Sequence, residues 1–238
     1  ISVTPGNFAP DVLQVQPGHL VVKDSWLSTG RYYIQDESSA LVGHAAQVEP
    51  GHVVYDLCSA PGGKATHLGQ LMRNEGEIKA FDLSTKRLEM VKMNAQRLGI
   101  TIIDTGQGDA SSDLNLAPAD RVLVDAPCSG LVTMRHRPDI LWRKTKAELR
   151  ELAGLQKRIL GQAANYVAPG GLLLYTTCTL SKWENEDVAH WFLNNHPQFK
   201  GASFPSWFPE NEGEPSWMRT LFPHRHLVDG FFLAIFRK

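Results

Sequence analysis

From Val53 onward, short apolar runs alternate with amphipathic stretches of helical length, and this restricts the fold more than any other feature of the sequence. VVYDL (53–57) reads as a buried strand, followed by a Gly-Pro turn and the helical KATHLGQLM. EIKAFDL (77–83) is a second strand, and TKRLEMVKMNAQRLG a helix closing at Gly99. TIIDTGQGDA supplies a third strand, RVLVDAP a fourth, GGLLLYTTC a fifth and FFLAIF (231–236) the last. Between the fourth and fifth, Leu149, Leu152, Leu155, Ile159, Leu160 and Ala163 share one helical face. SKWENEDVAHWFLNNHP is a further helix after the fifth strand. Strands alternating with helices predict an α/β domain with a doubly wound, mostly parallel sheet, whose ligands sit beyond the carboxyl ends of the strands.

Ahead of this pattern, VLQVQPGHLVV and RYYIQ are strand-like, and a short helix begins at about Asp36. Residues 1–46 are read as an N-terminal extension packed on a catalytic domain spanning 47–238. A chain starting at Ile1 is read as part of a longer protein with a domain upstream. At 238 residues it is long enough to bury a full core, and no apolar run reaches the length of a membrane span. Its three cysteines stand in no C-x-x-C pair and in no zinc-ligand pattern, so no metal site is expected. Free thiols fit a reducing, cytoplasmic setting. With a net charge of −1, any nucleic-acid surface has to be a local basic patch. His224 and His226 lack further ligands at useful spacing and read as loop residues, as does ENEGE (210–214).

DLCSAPGGKATHL (56–68) forms a strand, a glycine-rich turn and a helix, bringing backbone N–H groups and a helix start towards a ligand. It is neither a Walker A loop nor G-x-G-x-x-G. Asp82 ends the second strand, where an acid accepts ribose hydroxyls, and Asp109 follows the third, within reach of an adenine. Taken singly, each acid reads as well as a helix N-cap or a turn residue. Taken in register at successive strand ends, they favour a nucleoside-bearing cofactor.

DAPCSG (125–130) and YTTCTL (175–180) place Cys128 and Cys178 at the ends of the fourth and fifth strands, so both thiols should face one cleft beside that cofactor. Asp125, Ser129, Thr176, Thr177 and Thr179 surround them with polar groups, which argues against cysteines serving only as small hydrophobes. Cys58 is assigned to packing beneath the glycine loop.

DLCSAPGGK, DAPCSG and YTTCTL, with YYIQDESSA before them and RHRPDILW and PHRHLVDGFFLAIFRK after, resemble the RNA 5-methylcytosine methyltransferases of the RsmB/Nop2/Sun family. The likeness is greatest to the bacterial branch acting on small-subunit (16S) ribosomal RNA. It implies a Rossmann-like class I methyltransferase fold with a seven-stranded sheet and an antiparallel last strand. It implies S-adenosylmethionine as cofactor, an RNA partner, and an upstream RNA-binding domain. It gives attack on cytosine carbon 6 to Cys178 and release of the adduct to Cys128. From the residues alone Cys128 is the better nucleophile, because DNA cytosine methyltransferases attack with the cysteine of a Pro-Cys pair. Thiolate chemistry suits the task, being a soft nucleophile and a competent leaving group. Asp125 is expected on the cytosine's polar edge, and Lys64 near the base and thiol, favouring the thiolate. Similarity implicates Ala60, Pro61, Gly62, Gly63, Lys64, Asp82, Arg87, Asp109 and Asp125 in the cofactor site. Ser59 and Ala65 depart mildly from the family's usual Ala and Thr.

Arg135, His136, Arg137, Trp142, Arg143, Lys144 and Lys146 form the densest basic stretch, directly after DAPCSG. A charge run is often only a solvated face; its place beside Cys128 favours a grip on RNA phosphates, with Trp142 as a stacking surface. The target base must leave any stack to reach the thiols. Three rival readings stand: a non-catalytic cofactor-binding scaffold in ribosome assembly, a 5-methylcytosine methyltransferase for another RNA such as tRNA, and a methyltransferase for DNA, protein or small molecules.

Overall fold

The computed structural model describes residues 1–132 and 145–238. The N-terminal segment opens with an antiparallel hairpin, β1 (Ser2–Pro5) against β2 (Leu13–Gln16). A 3-10 turn over Gly18–Lys23 and the short α1 (Ser25–Ser28) follow. Only the first part of VLQVQPGHLVV is therefore strand, and the 3-10 turn begins directly beyond Pro17. RYYIQ is not a strand at all. Its alternation is real, but its backbone crosses the surface beside the glycine loop with no sheet edge to pair with. The next helix, α2 (Glu37–Ala45), starts where expected, with the Asp36 carboxylate accepting from Ser38 N–H.

The main unit then alternates as the sequence predicts. β3 (Val53–Asp56), α3 (Gly63–Leu71), β4 (Glu77–Asp82) and α4 (Thr85–Leu98) lead to β5 (Ile103–Gln107) and β6 (Ala119–Asp125). After the undescribed residues come α5 (Lys146–Ala163), β7 (Val167–Thr177), α6 (Glu186–Asn195), β8 (Lys200–Gly201), β9 (Met218–Leu221), α7 (Pro223–His226) and β10 (Phe231–Arg237). Strands lie in the order β5-β4-β3-β6-β7-β10, the first five mutually parallel and β10 antiparallel to β7. Outside β10 lie two short strands, β8 on Phe236 and Arg237 and β9 on Phe231–Ala234, so the described residues form an eight-stranded sheet where seven strands were expected. Pro205, Pro209 and Pro215 lie in the chain between them, and proline cannot supply ladder N–H groups.

Side chains along each strand alternate between two cores. Val54, Leu123, Leu172, Leu174, Leu233 and Ile235 pack with Leu41, Leu68, Met72 and Val91 from α2, α3 and α4. Tyr55, Val122, Val124, Leu173, Tyr175 and Phe232 face the other way, onto Ile159 and Leu160 of α5 and Val188 and Phe192 of α6. None of the described helices is long and apolar enough to cross a membrane.

Two carboxylates fasten the N-terminal segment to this frame. The buried Glu37 accepts the backbone N–H groups of Asn7, Phe8 and Ala9 at 3.0, 2.6 and 2.9 Å. Asp11 meets His44 Nε2 at 2.8 Å and His67 Nε2 at 2.7 Å, one oxygen to each. This trio is arranged as a clasp and lacks the second shell of a metal centre, since His67 Nδ1 is buried with no partner. Hydrogen bonds from His44 and His67 outweigh burial and hold the Asp11 carboxyl far below the usual carboxylate range.

Because its folded pKa is depressed, Asp11 stabilises the fold fully above its unfolded value of about 4 and progressively less below it. Replacing Asp11→Asn should cost about 1 kcal/mol at pH 7, the low end for charged hydrogen bonds because Asp11 is partly exposed. Urea melts of both proteins should show that gap narrowing as the pH falls below about 4.

Candidate active site

The carboxyl ends of β3, β6 and β7 meet at one cleft, and the sequence places a functional residue at or just beyond each. β6 pairs with β7 so that Asp125 lies opposite Thr176. The Thr176 hydroxyl donates to Asp125 Oδ1 at 2.9 Å, and Lys64 Nζ to Oδ2 at 2.7 Å. Lys64 comes from the first turn of α3, its side chain only 15% exposed, with Nζ 5.1 Å from the centre of the Phe231 ring. Burial works against its charge, but Asp125 and then Asp56 outweigh it and keep the ammonium above its ordinary range. Lys64 is thus no solvated surface lysine.

Beyond Asp125 and Thr177 the chain turns, and the two turns bring Cys128 Sγ and Cys178 Sγ to 3.3 Å. That separation is an S–H···S contact, far longer than the ~2.05 Å of a disulfide bond. A hydrogen bond from Cys128 lowers Cys178 below the usual thiol range; burial and Asp125 oppose this, and the Lys64 ammonium reinforces it. Cys128, giving that hydrogen bond and buried, is pushed well up. The shifts run in opposite directions, so Cys178 gives up its proton more readily than Cys128. Cys58 is pushed up by burial and then by Asp56, which makes it inert. It packs against the second core, in keeping with its packing assignment, and also lines the cleft wall.

The glycine loop is held from two sides. Gly62 has φ 100°, and a Cβ there would stand 3.0 Å from Val91 Cα; one on Gly63 would stand 2.8 Å from the Tyr33 ring. Arg87 Nη2 donates to Ala60 O at 2.5 Å while Nη1 lies 3.2 Å from Asp82 Oδ2. Asp82 also accepts from Ser84 N–H, and Ser84, not Asp82, is the N-cap of α4. Arg87 so braces the loop against the strand-end acid. Asp109 does not join this group: it is exposed and bonded to the N–H and hydroxyl of Ser111, which lowers its pKa. Arg135, Arg137, Trp142, Arg143 and Lys144 lie outside the described residues.

Several residues that the motifs did not single out belong here. Asp56 is fully buried with neither carboxylate oxygen in a well-formed hydrogen bond. Burial first and Asp125 second push it up to about 7, against partial help from Ser59, Lys64 and the Cys58 amide. Asp56 lines a cleft of about 130 Å³ with Tyr33, Gln35, Ser59 and Lys64. A roomier hollow of about 880 Å³ lies away from the thiols, between the N-terminal hairpin, Trp26, Ile34 and Leu227. Chemistry, not size, marks the smaller one as the site. The signal for Asp56 was available in the sequence: an acid closing an otherwise apolar strand directly before a glycine turn.

The doubly wound sheet with its antiparallel last strand, and acids at the ends of β3, β4 and β6, define a Rossmann-like methyltransferase fold. The model of the RsmB/F 16S rRNA methyltransferases matches residues 44–237, and the chain belongs to that family. It is 36% identical, over its whole length and 54% of the relative's, to the probable ribosomal RNA small subunit methyltransferase B of Bacillus subtilis. It is 34% identical to the tRNA (cytosine(72)-C(5))-methyltransferase of Pyrococcus horikoshii, over 88% of this chain and 53% of that one. The crystal structure of NSun6 from Pyrococcus horikoshii with SFG superposes with a TM-score of 0.83 at 32% identity, over 91% of this chain and 55% of that one. The chain thus spans about half the length of these relatives.

Iodoacetamide labelling across pH, mapped by mass spectrometry, should modify Cys178 at the lowest pH and Cys58 last. Lys64→Met should move the Cys178 midpoint upward by up to about one unit, since Asp125 already offsets part of the ammonium charge.

Proposed function

We propose that this chain carries the catalytic unit of an S-adenosylmethionine-dependent RNA cytosine-C5 methyltransferase, with small-subunit ribosomal RNA as substrate. One observation carries the reading: two thiols 3.3 Å apart beside an ion-paired Lys64 and Asp125. Asp56 supports the cofactor, because a buried carboxylate without partners suits the ammonium of an amino-acid moiety. Asp82 suits ribose hydroxyls, with the backbone of Ala60, Pro61, Gly62 and Gly63 between the two acids. Bound there, S-adenosylmethionine supplies an electrophilic methyl group on a sulfonium. SFG in the related structure is an analogue of it.

The Cys178 thiolate adds to carbon 6 of cytosine, and the ring's electron pair moves to carbon 5, making it nucleophilic. Asp125, held by Thr176 and Lys64, faces the base's polar edge as charge builds there. Once carbon 5 carries its methyl group and Cys178 is tied up as a thioether, a base takes the carbon-5 proton. The freed electron pair re-forms the carbon 5–carbon 6 double bond, and Cys178 leaves as a thiolate; Cys128, once deprotonated, assists this release. The basic residues Arg135, Arg137, Arg143 and Lys144, with Trp142 as a stacking surface, are proposed to hold the RNA, and a domain upstream of residue 1 to complete that grip. A tRNA substrate is the second reading, favoured by the 34% identity to a tRNA methyltransferase.

Cys128→Ala, mixed with small-subunit ribosomal RNA and S-adenosylmethionine, should leave protein and RNA covalently joined on a denaturing gel. Changing Cys178→Ser as well should abolish the adduct. Wild-type methylation without any trapped adduct would overturn the roles given to the two thiols.

A further inference from the structure

Glu184 lies in none of the motifs described above, yet it is fully buried in the turn between β7 and α6. Its Oε2 accepts Ser129 N–H at 2.8 Å and Gln156 Nε2 at 3.0 Å; its Oε1 accepts the Ser129 hydroxyl at 2.5 Å. Gln156, from α5, also donates to the Pro127 carbonyl at 2.9 Å. The residues on both sides of Cys128 are therefore gripped by one carboxylate, Ser129 directly and Pro127 through Gln156. The grip reaches the other thiol too. Since the Ser129 hydroxyl proton points to Glu184, the Thr179 hydroxyl, 2.8 Å away, must donate to Ser129. Thr179 follows Cys178 directly. The Tyr175 hydroxyl donates to the Glu184 backbone carbonyl at 2.5 Å, and Asn185 joins Thr177 at 2.6 Å to the Thr179 carbonyl at 2.9 Å.

Three donors converge on this carboxylate, and a buried charge persists only when it is so compensated. A core staple would need no such aim at the residues flanking a reactive thiol. We propose that Glu184 is a positioning residue for the thiol pair. It fixes the Cys128 turn so that Cys128 can donate to Cys178, and touches neither sulfur itself. The inference rests on the function proposed above for the site. Loosening the turn lets Cys128 move away from Cys178, and sub-ångström to ångström displacements of reacting groups are costly. The step that suffers is the one assigned to Cys128, release of the adduct, while RNA binding is unaffected.

Glu184→Gln keeps the shape but removes the charge and sets an NH2 group opposite the Ser129 hydroxyl, which must then give up its donation to this side chain. It should lower kcat about 10- to 100-fold and leave KM for RNA within about twofold of wild type. A covalent protein–RNA adduct should accumulate, as for Cys128→Ala. In protein without RNA, the pH midpoint of Cys178 alkylation should rise, because Cys128 no longer donates to it. Glu184→Asp, which restores the charge, should recover part of each effect. Should Glu184→Gln fail to fold, Ser129→Ala removes one arm of the grip and should show the same pattern more weakly. A lowered melting temperature with kcat, adduct level and alkylation midpoint all at wild-type values would make Glu184 a structural staple and overturn the proposal. Cys128→Ala run alongside separates the two ideas: without an adduct there, the thiol roles fail, while the alkylation midpoint still tests Glu184.

Discussion

Parallel pairing of β6 with β7, with Asp125 opposite Thr176, governs the geometry of the whole site. Strand ends in a doubly wound sheet are fixed by buried apolar ladders, here Val122, Leu123 and Val124 against Leu173, Leu174 and Tyr175. A slip of one residue would send these side chains to the opposite cores, so the register is held by hydrophobic energy far larger than any single polar contact. The two sulfurs then follow from turns only a few residues long. What the fold contributes to chemistry is a distance, set by packing well behind the reacting atoms.

Electrostatics does the rest, through charges placed where water cannot screen them. Asp56, Asp125, Lys64 and Glu184 are each wholly or largely buried, and the first two repel each other. A single ammonium between two carboxylates cannot satisfy both, and the structure gives it to Asp125. Asp56 is left without an ion-pair partner, the feature on which its proposed cofactor role rests. The thiols sit in the same field: Lys64 favours an anion at Cys178, and Asp125 prevents that preference from becoming absolute. Such a balance suits the proposed role of Cys178, which has both to attack and to leave.

Periodicity made the sheet legible because alternate residues of β3, β6, β7 and β10 belong to separate cores, and strand ends carried the polar exceptions. That placed Asp125, Cys128 and Cys178 at one cleft, whereas Lys64 stood out only through the family resemblance. RYYIQ misled because alternation signals a strand only where an edge is free to receive it. Asp109 follows its strand, as the sequence placed it, on a turn closed by Ser111. Gln156 left a clue as a polar residue in the apolar face of α5, between Leu152 and Ile159, and fully buried there. Glu184 left none: WENE resembles any solvated helix start, and only the third dimension shows what its carboxylate holds.

The divided outer strand has a consequence for how this molecule meets its own copies. A sheet ending in one long bare strand offers an uninterrupted row of N–H and C=O groups to another chain. Here β10 is covered by β8, of two residues, and β9, of four, with a proline-bearing excursion between them. The opposite edge, β5, is five residues long and carries an exposed Asp104. On one margin the ladder is broken into two short pieces and on the other a charged side chain interrupts it, both features that make edge-to-edge pairing with another chain less favourable.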